Sequence, residues 1–185
     1  GTEATGSWEA VEGDPGGLPG VGGTWGNCNA SVTTWNTGRT SEEYAADQQT
    51  DWDDGWLYAK DAIASFLGHP GNYLDFGYIV ELTPAGGEED GIGTIVTKHY
   101  AMGRFSHENA EVMPDSKTAY FGDDGTDRIL YKFVADTAGD LSAGTLYAAK
   151  VTQAGDTLNL KWIELGSGND ADIAAAIRAT DKPAA

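Results

Sequence analysis

Residues 129–165 have the sequence ILYKFVADTAGDLSAGTLYAAKVTQAGDTLNLKWIEL, which decides the fold class. Three runs within it, 129–134, 145–151 and 157–163, are rich in β-branched, aromatic and other apolar residues, and turn-forming residues separate them. Residues 152–156 place Gly and Asp between two runs, as in a hairpin loop. The stretch therefore predicts an antiparallel β-meander.

Alternation within these runs predicts which side chains are buried. Successive side chains of a strand point to opposite faces, so every second residue shares a face. The apolar residues that share a face are Ile129, Tyr131 and Phe133 in the first run and Leu158, Leu160 and Trp162 in the last. We expect these two faces to pack together.

Three further runs with strand character precede this stretch, at 78–82, 94–97 and 118–121. The predicted fold is mainly β: a β-propeller or part of one, with four-stranded antiparallel blades, short helical insertions and a β-meander over 73–165. Six strands make only about one and a half such blades, whereas propellers close with about four to eight. Residues 1–185 are therefore predicted to form either a single domain or a fragment of a larger propeller.

Loop and helix signals lie on either side of the meander. Residues 1–26 form a Gly/Pro-rich loop segment. A helical insertion is predicted over 41–67, since a serine followed by two glutamates suits a helix N-terminus, and residues 52–55 divide it into two short helices. A final helix is predicted over 169–179, where a polar cap precedes an acidic first turn.

The charge balance narrows the possible partners. The 185 residues include 11 basic and 29 acidic side chains, for a net charge of −18. Such a chain is expected to repel nucleic acid and anionic membranes. The acidic surface indicates either solubility or the binding of a hard cation such as Ca²⁺, which neutralises clustered carboxylates.

Cysteine content and hydropathy bear on disulfide bonds, membrane spans and targeting segments. Cys28 is the only cysteine, so no intrachain disulfide can form. The sequence predicts no membrane span and shows no signal peptide at its start. Because the chain begins at Gly1 rather than Met, processing or truncation would account for a missing targeting segment.

Two short segments are candidate metal sites. His107 and Glu108 place an imidazole beside a carboxylate, which can supply a ligand and the group that orients it, although the imidazole can equally bond to the backbone. Asp123 and Asp124 open the sequence DDGTD, which is typical either of a Ca²⁺ loop or of an acidic β-turn. It is not an EF-hand, because the position that requires Glu is Val134.

Several motifs resemble those of the PhoX-type alkaline phosphatases over roughly residues 23–180. The matching segments are TTWNTGRTSEE at 33–43, MGRFSHENA at 102–110, TAYFGDD at 118–124, LYKFV at 130–134, LSAGTLY at 141–147 and WIELG at 162–166. The resemblance implies a six-bladed type of propeller, export to the periplasm or beyond, and a polynuclear site that uses iron and calcium to cleave phosphate monoesters.

The resemblance also assigns residues, with some departures. Glu42 or Glu43, together with Glu108, match carboxylates near the metals, and Asp123 and Asp124 match an acidic pair that binds or orients calcium. The family's metal-binding cysteine falls at Ser41, whose hydroxyl is a far poorer ligand for Fe³⁺ than a thiolate. The cofactor expected is therefore Ca²⁺, and the role of Fe³⁺ is in question.

Two functions follow from these observations. The first is a metal-dependent phosphomonoesterase of the PhoX type, of which this chain is one part, with phosphate monoesters as substrates and the remaining propeller blades supplied by the same polypeptide. The alternative is a non-catalytic, calcium-stabilised exported propeller or surface assembly module. The sequence contains neither a P-loop nor a Gly-x-Ser-x-Gly elbow, so an enzyme here depends on metals.

Overall fold

The computed structural model describes residues 17–55, 58–85 and 93–179, so the first sixteen residues of the predicted loop segment lie outside it. Within these residues the chain forms two antiparallel sheets. The first sheet contains, in spatial and chain order, β1 (Asn27–Val32), β2 (Gly38–Glu42), β3 (Ile79–Ala85) and β4 (Gly93–His99). Four antiparallel strands in chain order are the composition of one propeller blade.

The second sheet is a five-stranded meander. Its strands, also in spatial order, are β5 (His107–Val112), β6 (Thr118–Asp123), β7 (Leu130–Thr137), β8 (Asp140–Ala154) and β9 (Thr157–Asn169). The prediction of a mainly β fold is confirmed, and the two sheets are consistent with part of a β-propeller.

Three strands, β1, β2 and β5, lack the apolar alternation that predicts the others. Their sequences are NCNASV, GRTSE and HENAEV, which are polar and short. Backbone pairing places them in the sheets: β2 is hydrogen-bonded on both sides, to β1 and to β3. Tertiary pairing therefore overrides local propensity in these segments.

The described helices are α1 (Gln49–Asp53), α2 (Ala59–Leu67) and α3 (Asp170–Ala179), with 3-10 turns at Leu18–Val21, Tyr73–Asp75 and Tyr100–Met102. The predicted start of the helical insertion at Ser41 is wrong, because Ser41 and Glu42 belong to β2 and the first helix begins at Gln49. The acidic pair that resembled a helix N-terminus is buried at the end of a strand instead. No helix in the described ranges has the length and apolar character needed to cross a bilayer.

Of the two faces predicted to pack together, the first is buried only in part, since Ile129 is 40% exposed. Phe133 is fully buried and Tyr131 stacks on Phe105, with ring centroids 4.0 Å apart. On β9, however, Leu158 and Leu160 are 62% and 47% exposed, so the predicted packing of that face is wrong. The reason is topological: β9 is an edge strand, and β7 pairs with β8 only as far as Ala148.

A buried polar network ties the first sheet to α3. His99 Nε2 donates to Glu81 Oε2 at 2.7 Å, and His99 Nδ1 donates to Asp170 Oδ2 at 3.1 Å. Glu81 also accepts hydrogen bonds from Trp35 Nε1, at 2.8 Å, and from the Thr37 hydroxyl. The other carboxylate oxygen of Asp170 accepts a hydrogen bond from the backbone N–H of Ala101. His99 and Ala101 together therefore fix the first residue of α3.

This network shifts the pKa of both of its central groups. Burial disfavours the His99 imidazolium, but the hydrogen bonds and charges of Asp170 and Glu81 raise the pKa of His99 to about 9. Burial would likewise raise the pKa of Glu81, but hydrogen bonds from His99 and Thr37 lower it to about 2. His99 is therefore a cation between two carboxylates at neutral pH.

We predict a loss of stability at alkaline pH. His99 holds a proton in the folded state that the unfolded chain releases near pH 6.5, so its contribution is complete below that pH and disappears as pH rises through about 9. The contribution of Glu81 is lost only as pH falls through about 2. Urea unfolding across the window from about pH 6.5 to about pH 9 is expected to show a decline of up to a few kcal/mol.

The matched variant is His99→Gln, which cannot titrate. We expect it to be less stable at all pH values and to have a flatter profile in that window. His107 cannot account for the decline, because burial lowers its pKa to about 4 and its effect lies on the acid side. Equal slopes in the variant and the parent protein would contradict the assignment to His99.

Candidate metal centre

Three carboxylates from separate parts of the chain converge at one point. Glu43 follows β2, Glu108 lies in β5 and Asp124 follows β6, and one ligand oxygen from each lies within 4.8 Å of the others. Glu43 is only 3% exposed, whereas the other two are open to solvent. We refer to these three residues as the carboxylate trio.

Ser106 links the two sheets and places the trio. Its hydroxyl donates to the carbonyl oxygen of Glu43, and its own carbonyl accepts from the N–H of Asp124 at 2.9 Å. The N–H of Ser106 donates to Asp123 Oδ1, also at 2.9 Å. One residue therefore fixes the backbone at Glu43, just after β2 of the first sheet, against the end of β6 in the second sheet.

The Glu43 carboxylate is the unusual member of the trio. Its Oε2 atom is buried and has no hydrogen-bond partner among the described residues. Removing a carboxylate oxygen from water without a partner is unfavourable, and two neighbouring carboxylates add like-charge repulsion. A cation that takes oxygen ligands would satisfy all three groups at once.

Glu42, the other glutamate predicted as a ligand, lies apart from the trio. It forms an ion pair with Lys98 Nζ at 3.1 Å, and both side chains are fully buried. Its oxygens also accept the N–H groups of Trp25, Gly77 and Tyr78 at 3.2, 2.9 and 3.0 Å. The sequence left Glu42 and Glu43 as alternatives, and the geometry places only Glu43 with the trio.

Asp123 supports the loop rather than facing the other carboxylates. Its Oδ1 accepts from Ser106 and its Oδ2 lies 3.4 Å from Arg128 NH1. The Arg128 side chain folds across Gly125, whose φ is +130° and where a Cβ would lie 2.9 Å from the guanidinium Nε. Of the predicted pair, Asp124 therefore belongs to the trio, whereas Asp123 binds the backbone of Ser106 and contacts Arg128.

His107 is not among the residues that converge at the trio, and Ser41 lies two residues before Glu43 in β2. His107 is fully buried between the rings of Phe105 and Phe121, and its Nε2 donates to the carbonyl of Gly103 at 3.1 Å. Burial lowers its pKa to about 4, so the imidazole is neutral and lies on the opposite face of β5 from Glu108. Ser41 is buried in β2 and, by strand alternation, shares a face with Glu43.

The trio lies at the edge of a polar cleft of about 260 Å³. Its lining includes Glu43, Asp124, Ser106 and two arginines, Arg104 and Arg128. The Arg104 guanidinium is bound within the protein, since it donates hydrogen bonds to the carbonyls of Phe76, Ala46 and Tyr73. Arg128 is about half exposed and is bound only to Asp123 in a long contact, so it is the arginine that can face a ligand in the described part of the cleft.

Sequence reasoning missed two residues of this region, Ser106 and Arg128. Ser106 lies inside a matching motif, but a serine carries no metal-ligand signal of its own. The sequence gave no sign of a role for Arg128, because it lies at the start of a strand-like run, five residues after Asp123. Their roles depend on the docking of the two sheets, which no local pattern encodes.

Comparison with known proteins relates the chain to a family. The family model described as alkaline phosphatase PhoX matches residues 5–184, nearly the whole chain. No curated protein and no solved structure matches the chain.

We predict that the buried pair of Glu42 and Lys98 is essential to the fold around the trio. Lys98→Met removes the cation and leaves a buried carboxylate, which is expected to lower the free energy of unfolding by about 3–5 kcal/mol. The matched control is Lys60→Met, which breaks an exposed 2.8 Å pair with Asp53 and should leave the free energy of unfolding nearly unchanged. Urea unfolding of both variants gives the comparison, and similar losses in the two would contradict the prediction.

Proposed function

Because the chain belongs to the PhoX alkaline phosphatase family, we propose that it is part of a metal-dependent phosphomonoesterase whose cation is held by Glu43, Glu108 and Asp124. The observation that supports this most directly is the buried, unpartnered oxygen of Glu43 beside two further carboxylates. An acidic turn formed for solubility alone would leave its carboxylates in water. Here the fold buries one of them at the junction of two sheets.

We propose Ca²⁺ as the cation. The trio offers only carboxylate oxygens, which are the ligands that Ca²⁺ prefers, and its two exposed members leave room for water or substrate oxygens. A thiolate at position 41 is absent, since that residue is serine, so the donor set of the trio favours Ca²⁺ over Fe³⁺. When bound, such a cation polarises phosphoryl oxygens and lowers the pKa of a bound water.

The residues around the trio then have separable roles toward a phosphate monoester. The carboxylates position the cation, and Arg128 can donate paired hydrogen bonds to phosphate oxygens within the polar cleft. Ser106 holds both sides of the site in place. With a net charge of −18, the protein repels a phosphate dianion at long range, so the cation and Arg128 are needed to reverse the local field.

Family membership also supports proposals about context. We propose that the protein acts in the periplasm or outside the cell, and that further blades of the propeller come from the same polypeptide.

Ser41 favours a second function, a non-catalytic, calcium-stabilised exported propeller or surface assembly module. The serine stands where the family has a metal-binding cysteine, and loss of that ligand would remove catalysis while calcium binding by carboxylates is retained. The two functions share the trio and differ in turnover.

Calcium is expected to stabilise the protein through the trio. At about a hundredfold excess over its Kd, Ca²⁺ should raise the free energy of unfolding by about 2.7 kcal/mol, because it binds the folded state alone. Glu43→Gln should abolish this increment, whereas Asp156→Asn, the same charge change in the exposed turn between β8 and β9, should retain it. Thermal unfolding with and without Ca²⁺ provides the measurement, and a Tm that Ca²⁺ does not move would refute calcium binding.

Turnover is expected to depend on the cation. Hydrolysis of p-nitrophenyl phosphate should disappear with EGTA and return when Ca²⁺ is restored, since the field at the cleft is repulsive without it. Activity that is indifferent to chelation would exclude the phosphatase mechanism proposed here. A calcium-dependent Tm without any hydrolysis would select the non-catalytic alternative.

A further inference from the structure

A second cavity, an apolar groove, lies between the C-terminal end of β9 and α3. Its volume is about 440 Å³, which falls within the range of small-molecule sites. Its third wall is the segment around the 3-10 turn at Tyr100–Met102. Leucine, isoleucine, tyrosine and glycine make up most of its lining, and among the described residues that line it Arg104 carries the only charge.

Glycines in β9 keep this groove open. Gly166 and Gly168 lie two residues apart in the strand, so side chains at these positions would point to the same face. A Cβ at Gly168 would lie 3.0 Å from Ile173 Cδ1 in α3, whereas a Cβ at Gly166 would meet no described atom within 4 Å. The empty space in front of Gly166 therefore faces α3 and belongs to the groove.

The groove offers apolar surface rather than hydrogen-bonding groups. Tyr78 and Tyr100 line it with ring centroids 4.5 Å apart, but the Tyr78 hydroxyl donates to the carbonyl of Leu74 and the Tyr100 hydroxyl donates to Asp75 Oδ1. Leu165 also lines the groove and is 53% exposed, although covering such a side chain would be favourable. These features suit an aromatic or aliphatic group of a ligand.

Arg104 lines both this groove and the polar cleft beside the carboxylate trio. Its guanidinium donates to the backbone carbonyls of Phe76, Ala46 and Tyr73, and it forms no ion pair with a carboxylate among the described residues. Neutral carbonyls bind the guanidinium without cancelling its charge. The two cavities therefore share a wall that carries a positive charge, in a protein whose net charge is −18.

We propose that the apolar groove receives the apolar leaving group of a phosphate monoester whose phosphate lies in the polar cleft, so that the substrates are monoesters of aromatic or other apolar alcohols. The proposal rests on the proposed function, since it requires a cation and a phosphate in the cleft. It goes beyond that function by naming the class of substrate and the surface that selects it.

The chemistry of the two cavities fixes which end of the substrate goes where. A phosphate dianion is favoured in the cleft, beside the cation of the trio and Arg128, and the ring or chain is favoured in the groove. Arg104 then lies between the two parts, where its charge attracts the phosphate. A sugar or another polar alcohol would lose hydrogen bonds with water in the groove and find few there to replace them.

The test compares two phosphonates that cannot be hydrolysed, methylphosphonate and (1-naphthyl)methylphosphonate, by calorimetric titration of the purified chain in excess Ca²⁺. The naphthyl compound should bind at least about tenfold more tightly, because burial of an aromatic group of this size contributes at least that factor. Equal affinities would overturn the proposal and would indicate that protein rather than ligand covers the groove.

Three variants locate the preference. Gly166→Leu should fill the groove so that both phosphonates bind alike, and its Tm increase with Ca²⁺ shows that it is folded. The matched control is Gly20→Leu, which lines neither cavity, has equally open space at its Cβ and should keep the preference. Ile177→Ser approaches the groove from α3, where the side chain is half-buried, and should reduce the preference.

The outcomes separate this proposal from the one on which it rests. A preference that both Gly166→Leu and Ile177→Ser retain would overturn the assignment to the groove and leave the proposed phosphatase untouched. If the parent protein binds neither phosphonate in Ca²⁺, the proposed function fails, and the groove loses its role as a leaving-group site with it.

Discussion

The buried ion pair between Glu42 and Lys98 determines how β2 ends, and the candidate site depends on that ending. The pair is fully excluded from water, and Glu42 accepts three backbone N–H groups as well. Since a buried charge without its partner is strongly unfavourable, Glu42 is held on one face of the strand. Its neighbour Glu43 then points to the other face, where Glu108 and Asp124 lie.

The same strand therefore uses two consecutive carboxylates in opposite ways. Glu42 is neutralised by a lysine within the protein, whereas Glu43 is buried with an oxygen that no described residue satisfies. In a chain of net charge −18, a second internal lysine would have been the simple solution for stability. Its absence beside Glu43 in the described residues is the strongest physical argument that the neutralising charge comes from outside the polypeptide.

The sequence predicts the second sheet well and the site only in part. The runs that became β6 to β9 alternate and are bounded by turn residues, so local pattern sufficed for them. The residues of β1 and β2 are small and polar, so the local pattern did not predict strands there. Ser41 and the two glutamates after it resembled a helix start, because the local sequence does not reveal that they are buried at the end of a strand. Motif resemblance pointed to Glu43, Glu108 and Asp124, but it could not separate Glu43 from Glu42.

The position of the trio at the junction of the sheets links cation binding to the relative position of those sheets. Glu43 directly follows β2 of the first sheet, Glu108 lies in β5 of the second sheet, and Asp124 directly follows β6 of the second sheet. Ser106 already joins them, with one hydrogen bond to each side of the site besides its bond to Asp123. A cation held by all three carboxylates would bind only when the sheets are docked, so it would convert mutual repulsion between them into attraction. A bound cation at this position would hold the two sheets together whether or not it also took part in hydrolysis, so the proposed phosphatase and the calcium-stabilised module can share the trio.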